Sequence, residues 1–192
     1  MGAKISFQFF AFLRALFLIF SATVYTAILA PPAIVSCLLD PSGRWPSIFQ
    51  RTWVNWLLHT NGIRLRPQGL EYLKKEQAYI LISNHASILD IPGIISASPF
   101  PVRFIAKKSL SWFPVLGWFL SSSGHILIDR DNAKSALKSL KKAVALLKKG
   151  ISIVVFPEGT RTPDGQVKGF KGGAFLLALQ SKAQIVPVSI SG

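Results

Sequence analysis

The sequence contains little cysteine and little acidic charge, and each shortage excludes a class of protein. Cys37 is the only cysteine among 192 residues, so no disulfide can form within the chain. No cluster of cysteine and histidine has the spacing of a zinc site. Eight Asp and Glu residues accompany 22 Lys and Arg residues, which gives a formal net charge of +14. An anionic partner is therefore expected, and a disulfide scaffold or zinc finger is not.

The apolar content of the chain indicates which kind of anionic partner to expect. Hydrophobic residues make up 50% of the sequence, and the mean hydropathy is positive. A bilayer with acidic lipids offers both an apolar interior and an anionic surface. A nucleic-acid binder explains only the charge, because no exposed stripe of interleaved basic and aromatic residues is present. We expect membrane phospholipids as partners and no nucleic acid, and a non-catalytic basic membrane-binding module stays an alternative.

The N-terminal region is apolar enough to enter a membrane. From Ile5 to Leu39 its only charged residue is Arg14. A helix from Ile5 to Ala30 would cross about 30 Å of hydrocarbon. We predict that Pro31 and Pro32 break this helix, because proline lacks an N–H and disfavours helix at the preceding residue. The remaining piece, Ala33 to Leu39, is then too short to cross.

Several arrangements fit this segment. A cleaved signal peptide is disfavoured by the length of the apolar stretch and by an n-region whose only charge is Lys4. A single span and a helix-break-helix hairpin in one leaflet stay open. Basic residues lie on both sides of the segment, so they do not fix its orientation. The next stretch, Trp45 to Leu58, is an amphipathic helix that either lies in the headgroup zone or packs on the soluble core.

The rest of the chain predicts an α/β fold. Short apolar runs alternate with helical or turn-forming segments, which is typical of strands buried between helices. The predicted strands are Tyr79–Ile82, Val102–Ala106, Ile126–Ile128, Ile151–Phe156 and Ile185–Ile190. The clearest helix runs from Asn132 to Lys149, with Asp131 or Asn132 as its N-cap and Gly150 just past its end. Its lysine-rich face is either solvated or in contact with anionic headgroups.

A polar cluster from Ser83 to Asp90 directly follows the first of these strands. Active sites of α/β proteins lie at the carboxyl edge of the sheet. His85 can act as a base near neutral pH, and Asp90 can orient its ring. Residues five apart do not share a helix face, so the two meet only if the chain turns between them. Taken alone, a histidine and an aspartate at this spacing favour a structural role over a catalytic one.

Two further motifs also follow predicted strands. The stretch Phe156 to Arg161 reads F-P-E-G-T-R. It is a turn sequence with a guanidinium suited to phosphate. The stretch Gly124 to Arg130 ends in an Asp–Arg couple after its strand. Each of these is a weak signal by itself, and a solvated surface turn explains the first as well.

Taken together, the motifs are specific. Asn84 and His85 with Asp90, then Ile128–Arg130, Phe156–Arg161 and Val186–Val188 occur in this order. This set resembles the glycerolipid acyltransferase family, most closely the bacterial 1-acyl-sn-glycerol-3-phosphate (lysophosphatidic acid) acyltransferases. The resemblance covers roughly residues 61–191. It implies a mostly parallel sheet flanked by helices, preceded by an N-terminal apolar membrane motif in residues 1–60.

The resemblance also implies roles for individual residues. His85 is expected to be the general base and Asp90 its partner. The positions tied to binding the acceptor's glycerol phosphate are Lys107, Arg130, Glu158, Gly159, Thr160 and Arg161. His125, near the second motif, has no carboxylate at a matching spacing and is expected to be structural. The acyltransferase domain would be residues 61–192, and because relatives continue beyond this point, the chain is expected to be a short form or truncated.

The implied reaction transfers a fatty acyl group from acyl-CoA or acyl carrier protein to lysophosphatidic acid. It needs no cofactor and no metal. Another lysophospholipid or a lyso-aminolipid is the nearest alternative acceptor. A serine lipase is excluded, because no G-x-S-x-G pentapeptide occurs. The expected location is the inner (cytoplasmic) membrane, with the catalytic domain on the cytoplasmic side.

Overall fold

The computed structural model describes residues 2–40, 43–129, 132–162 and 166–191. Helices and strands alternate after an N-terminal pair of helices. In chain order they are α1 (Gly2–Leu39), α2 (Arg44–Thr60), β1 (Tyr79–Ser83), α3 (Asp90–Ala97), β2 (Val102–Lys107), α4 (Leu116–Ser122), β3 (Ile126–Ile128), α5 (Ala133–Lys148), β4 (Ser152–Val155), α6 (Gly173–Ser181) and β5 (Gln184–Val188). Short 3₁₀ turns lie at Leu70–Tyr72 and Lys108–Trp112. Each predicted strand is present, with ends shifted by two residues at most.

The strands form one sheet in the order β3-β2-β4-β1-β5. Every pairing in it is parallel. The predicted α/β class with a mostly parallel sheet is therefore confirmed. In a parallel sheet all carboxyl ends lie at one edge, so the loops that follow β1, β2, β3 and β4 meet there.

Each face of the sheet buries its own apolar cluster. Alternate residues of a strand point to opposite faces: Tyr79 and Leu81 join one cluster, and Ile80 and Ile82 join the other. The first cluster includes residues of α2 and α3, and the second includes residues of α5 and α6. Each fully buried aliphatic side chain contributes roughly 1.5–3 kcal/mol. This double coverage explains why the strands are apolar on both faces.

Helix α1 is continuous through both prolines, so the predicted break at Pro31–Pro32 is wrong. Proline has a φ compatible with a helix, and its cost is a lost hydrogen bond and a local clash. Neighbouring helices offset such losses in apolar helices, and here α2 lies alongside α1. Trp53 Nε1 donates to Thr26 Oγ1 at 3.0 Å, and Asn61 Nδ2 donates to Ser21 Oγ at 3.1 Å. Within the described residues, Gln8–Leu39 is long and apolar enough to cross a membrane.

Helix α2 combines the two placements that its sequence left open. Val54 and Leu58 are buried in the cluster shared with α3. Trp45 and Ile48, near the start of the helix, are exposed. One face of α2 therefore packs on the α/β core. The N-terminal turns of the helix leave apolar side chains exposed, and these could insert into a bilayer.

Arg103 attaches the α1–α2 connection to the sheet. This side chain is 3% exposed although it lies in β2. Its guanidinium donates to the Gly43 carbonyl at 3.0 Å and to Ser47 Oγ at 2.9 Å. A buried cation must find hydrogen-bond acceptors, and here they come from the start of α2. The sequence offered no sign of this contact.

Helix α5 begins as predicted. Asn132 Oδ1 accepts from the Ser135 N–H at 3.1 Å and so caps the first turn. Asp131, the alternative cap, lies outside the described residues. Gly150 follows the helix with a φ of 80°, a conformation that favours glycine.

Candidate active site

The first and third motifs meet because their strands are neighbours. Strands β1 and β4 pair in parallel, with Ile82 opposite Val155. The residues that follow them, from Asn84 and from Phe156 onward, therefore leave the sheet side by side. The meeting of these two motifs at the carboxyl edge of the sheet follows from this register.

His85 and Asp90 form a hydrogen-bonded pair. His85 Nδ1 lies 2.8 Å from Asp90 Oδ2, so Nδ1–H is the donor to the carboxylate. The chain turns between them, and Asp90 begins α3. The same oxygen accepts from the N–H groups of Ala86 and Ser87, each at 2.8 Å. Asp90 is thus fixed by the loop that it organises, and it leaves the His85 Nε2 lone pair available to take a proton.

The imidazole is held from several directions. Its ring stacks on Phe156, with centroids 4.1 Å apart. The His85 N–H donates to Glu158 Oε1 at 2.9 Å, and the His85 carbonyl accepts from the Thr162 N–H at 2.9 Å. The side chain remains 16% exposed, enough for a substrate to approach. Backbone and ring are both fixed, which is what a preorganised base requires.

Both carboxylate oxygens of Glu158 accept hydrogen bonds from backbone N–H groups. Oε1 accepts from His85, and Oε2 accepts from the Lys168 N–H at 2.9 Å. The residue is 3% exposed. A buried carboxylate is costly unless it is hydrogen-bonded, and these two bonds satisfy it. Glu158 therefore joins the first motif, the third motif and the segment before α6.

The other predicted binding residues lie around this pair with different exposures. Lys107 is exposed at the end of β2, and Thr160 and Arg161 are exposed in the third-motif turn. Gly159 has a φ of 75°, and its N–H donates to the Phe156 carbonyl. Arg130 lies outside the described residues. The structure thus brings His85, Asp90 and Glu158 into direct contact and places the side chains of Lys107 and Arg161 in solvent at the same edge of the sheet.

Several backbone amides near His85 are already used. Those of residues 85–87 donate to Glu158 or Asp90, and that of Gly159 donates to Phe156. In the described part of the chain, the amides of Thr160 and Arg161 donate to no protein acceptor. An amide bonded within the protein is a poor donor to a developing oxyanion. The third-motif turn is therefore the better source of such donors.

Sequence reasoning assigned no role to three residues that support the site, namely Thr162, Phe156 and Asn84. Thr162 binds the His85 carbonyl, and Phe156 provides the stacking surface. Asn84 forms reciprocal bonds with Ile190: its Nδ2 donates to the Ile190 carbonyl at 2.9 Å, and its Oδ1 accepts from the Ile190 N–H at 2.8 Å. Asn84 and Phe156 stand inside the recognised motifs. The neighbouring sequence does not indicate which part of the chain Asn84 or Phe156 contacts.

His125 is buried and hydrogen-bonded away from His85, in agreement with a structural role. It is 1% exposed, and its Nδ1 accepts from the Phe104 N–H at 3.1 Å. Burial, together with smaller contributions from the nearby charges of Arg103 and Lys142, lowers the pKa of His125 to about 3. The ring is therefore neutral at pH 7.

Comparisons with known proteins agree with this geometry. The family model described as Acyltransferase matches residues 64–191. A 1-acyl-sn-glycerol-3-phosphate acyltransferase of Limnanthes douglasii is 42% identical over 132 residues, covering 68% of this chain and 46% of that protein. The alpha form of the same enzyme from Homo sapiens is 37% identical over 139 residues, covering 70% of this chain and 49% of that one. The chain thus spans about half the length of these curated relatives.

A solved structure extends the similarity over nearly the whole chain. The crystal structure of the 1-acyl-sn-glycerophosphate (LPA) acyltransferase PlsC from Thermotoga maritima superposes with a TM-score of 0.81 and 27% sequence identity. It covers 96% of this chain and 76% of the Thermotoga chain, so the N-terminal helices are included in the match. With a family model over two thirds of its length and a paired histidine and aspartate in the first motif, this chain belongs to the acyltransferase family.

Proposed function

We propose that this chain is a 1-acyl-sn-glycerol-3-phosphate acyltransferase. It would transfer a fatty acyl group from acyl-CoA or acyl carrier protein to the sn-2 hydroxyl of lysophosphatidic acid and release phosphatidic acid. The observation that carries the proposal is the 2.8 Å bond between His85 Nδ1 and Asp90, in a ring that stacks on Phe156 of the third motif. Relatives that bear this activity in their names support the choice of acceptor.

The reaction follows from the orientation of the imidazole. Nε2 of His85 takes the proton of the acceptor hydroxyl as its oxygen attacks the thioester carbonyl. Asp90 balances the charge of the imidazolium that forms. The tetrahedral intermediate then collapses, the carbon–sulfur bond breaks, and the thiolate takes the proton back from His85. The amides of Thr160 and Arg161 are the proposed donors to the oxyanion.

The acceptor's phosphate would bind to the basic residues at the same edge. Arg161 offers a planar fork for phosphate, and Lys107 offers a point charge. Arg130 belongs to the same proposed set. Glu158 would act on the site indirectly, because its two oxygens already bind the backbone at His85 and Lys168. We therefore assign Glu158 a positioning role in place of a direct substrate contact.

The N-terminal helices would deliver the site to its lipid substrate. In this proposal residues 1–60 form the membrane motif and residues 61–192 form the catalytic domain, on the cytoplasmic side of the inner membrane. The exposed apolar face of α1 supports membrane association. A lysolipid could then reach the site without leaving the bilayer surface.

Acyl transfer in detergent micelles tests this function. A radiolabelled acyl-thioester is offered, as coenzyme A ester and as carrier-protein ester, with lysophosphatidic acid and with lysolipids that have larger headgroups. We expect labelled phosphatidic acid as the main product. Efficient transfer only to another lysolipid would replace the acceptor, and no transfer by a folded chain would favour a membrane-binding module that lacks catalysis.

A further inference from the structure

A basic groove lies at the β3 edge of the sheet, separate from the His85 pair. It encloses about 620 Å³, within the range of roughly 300–1,000 Å³ that small-ligand sites occupy. One wall is α5, and the other is the segment from the 3₁₀ turn at Lys108–Trp112 to α4. Lys108 lies at the end nearest the carboxyl edge, since it directly follows β2.

The α5 wall presents one row of like charges to the groove. Lys134, Lys138 and Lys142 stand at intervals of four residues, with Ser135 and Ser139 beside them. Like charges at this spacing destabilise a helix. Among the described residues that line the groove there is no carboxylate, and no ion pair in the described part of the chain involves these lysines. An anion bound between the walls would relieve this repulsion.

The floor of the groove fixes part of this charge. His125 lines it and is neutral, so the lysines supply the positive potential. Lys142 Nζ donates to the His125 carbonyl at 2.9 Å, which directs that ammonium into the groove wall. The hydroxyls of Ser121 and Ser135, one on each wall, add neutral donors, whereas those of Ser111 and Ser139 already donate to the Lys108 and Leu127 carbonyls. Ammonium and hydroxyl donors without a competing acid are the groups that recognise phosphate esters.

We propose that this groove binds the phosphate-bearing end of the acyl donor, a phosphopantetheine thioester. The inference rests on the proposed acyl transfer and adds the donor's binding site to it. Strand β3 stands three places from β1 in the sheet, a distance of about 14 Å. An extended pantetheine arm covers that span, so phosphate in the groove would let the thioester reach His85.

The position of the lysine wall favours the donor over a lipid headgroup. Helix α5 packs with α6 on one face of the sheet, whereas α2 packs with α3 on the other. The proposed membrane motif is α1 with α2, so the lysines of α5 are on the opposite face of the sheet from α2. A water-soluble donor therefore reaches the α5 wall from the side away from α2, while the other wall, α4, packs on α1.

Paired charge removals on α5 test the proposal in the full chain in detergent. The groove variant is Lys134→Gln with Lys138→Gln. The matched control is Lys141→Gln with Lys148→Gln, which removes the same charge from the same helix outside the groove. Initial rates are measured against acyl-CoA and against acyl carrier protein, and coenzyme A binding is measured by calorimetry. Melting temperatures confirm that both variants are folded.

We expect the groove variant to raise the donor KM by about tenfold or more, with kcat and the lysolipid KM little changed. The control should stay close to wild type. A rise with acyl-CoA, matched by weaker coenzyme A binding, identifies coenzyme A as the source of the phosphate. A rise confined to the carrier-protein donor identifies the carrier's pantetheine phosphate.

Other outcomes overturn the proposal. An unchanged donor KM in an active groove variant would show that the groove does not bind the donor. The proposed acyltransferase function would not be affected by that result. Equal effects in both variants would indicate bulk charge alone. Loss of binding to anionic vesicles with an unchanged donor KM would indicate a headgroup site. If the wild type transfers no acyl group, the proposed function fails, and calorimetry still decides whether the groove binds coenzyme A.

Discussion

The main-chain N–H of His85 donates to Oε1 of Glu158 at 2.9 Å, although 73 residues separate the two. This bond joins the first motif to the third at the position of the proposed base. The second oxygen of Glu158 holds the Lys168 N–H, so one buried carboxylate organises three segments. The placement of the imidazole therefore depends on a residue that need not touch the substrate.

Glu158→Gln tests this positioning role. The glutamine amide presents an NH₂ group to one of two backbone N–H donors, so one hydrogen bond is lost and a buried donor is left unpaired. We expect kcat to fall by about 10–100-fold and stability to fall by about 1–3 kcal/mol. The lysolipid KM should change little. Steady-state kinetics and denaturant unfolding measure both, with Glu71→Gln as an exposed control. A raised lysolipid KM with normal kcat would instead indicate direct substrate binding.

Asp90→Asn should remove most of the activity while the lysolipid still binds. The carboxylate accepts the Nδ1–H of His85 and stabilises the imidazolium, and a neutral amide does neither as well. We expect kcat to fall by at least about a hundredfold. Rates of acyl transfer at saturating lysolipid measure the effect. Activity within a few fold of wild type would show that Asp90 shapes the loop at Ala86 and Ser87 without supporting the base.

His125 makes the stability of the fold depend on pH. Its folded pKa of about 3 lies below the ordinary value of 6.5, so between these values the unfolded state binds more protons. The contribution of His125 to the free energy of unfolding is therefore complete above about pH 6.5. It is lost as the pH falls toward 3, at about 1.4 kcal/mol per pH unit.

The neutral variant His125→Asn separates this contribution from that of other groups. The asparagine Oδ1 can still accept from the Phe104 N–H. Chemical unfolding measures the free energy of unfolding at pH 7.5 and at pH 5. We expect its decrease between these two pH values to be about 2 kcal/mol smaller in the variant than in the wild type. Identical losses in both proteins would contradict a neutral buried His125.

Gly43→Ala should weaken the link between the membrane motif and the sheet. Gly43 has a φ of 76°, and an added Cβ would overlap the Arg103 guanidinium that binds its carbonyl. We expect a loss of about 1–3 kcal/mol. Gly62→Ala is the matched control, because Gly62 also has a positive φ but faces open space. Thermal unfolding compares them, and equal losses would show that backbone strain alone matters.

The sequence predicted the sheet well because buried strands appear in the sequence as short local runs of apolar residues. Continuous apolar runs placed β3 to the residue and the other strands to within two residues. The pairing of His85 with Asp90 was expected from the motif, but its turn at residues 86–89 needed the structure. The break at Pro31–Pro32 was wrong because packing of α1 on α2 outweighs the local cost of proline.

Contacts between distant segments were beyond the sequence. Nothing near Glu158 shows that its partners are backbone groups at His85 and Lys168, and nothing near Arg103 shows that it is buried. The lysines of α5 were visible as a charged face, yet the groove exists only because a second wall from the α4 region faces them. Such features depend on tertiary placement, which residue patterns do not specify.

The measurement closest to the central claim is the rate of phosphatidic acid formation by His85→Ala. The variant is assayed beside wild type and beside His59→Ala, which removes an exposed histidine from α2. We predict that His85→Ala loses at least about a hundredfold in kcat with its fold intact, while His59→Ala keeps normal activity. Undiminished acyl transfer by a folded His85→Ala variant would contradict the assignment of His85 as the base.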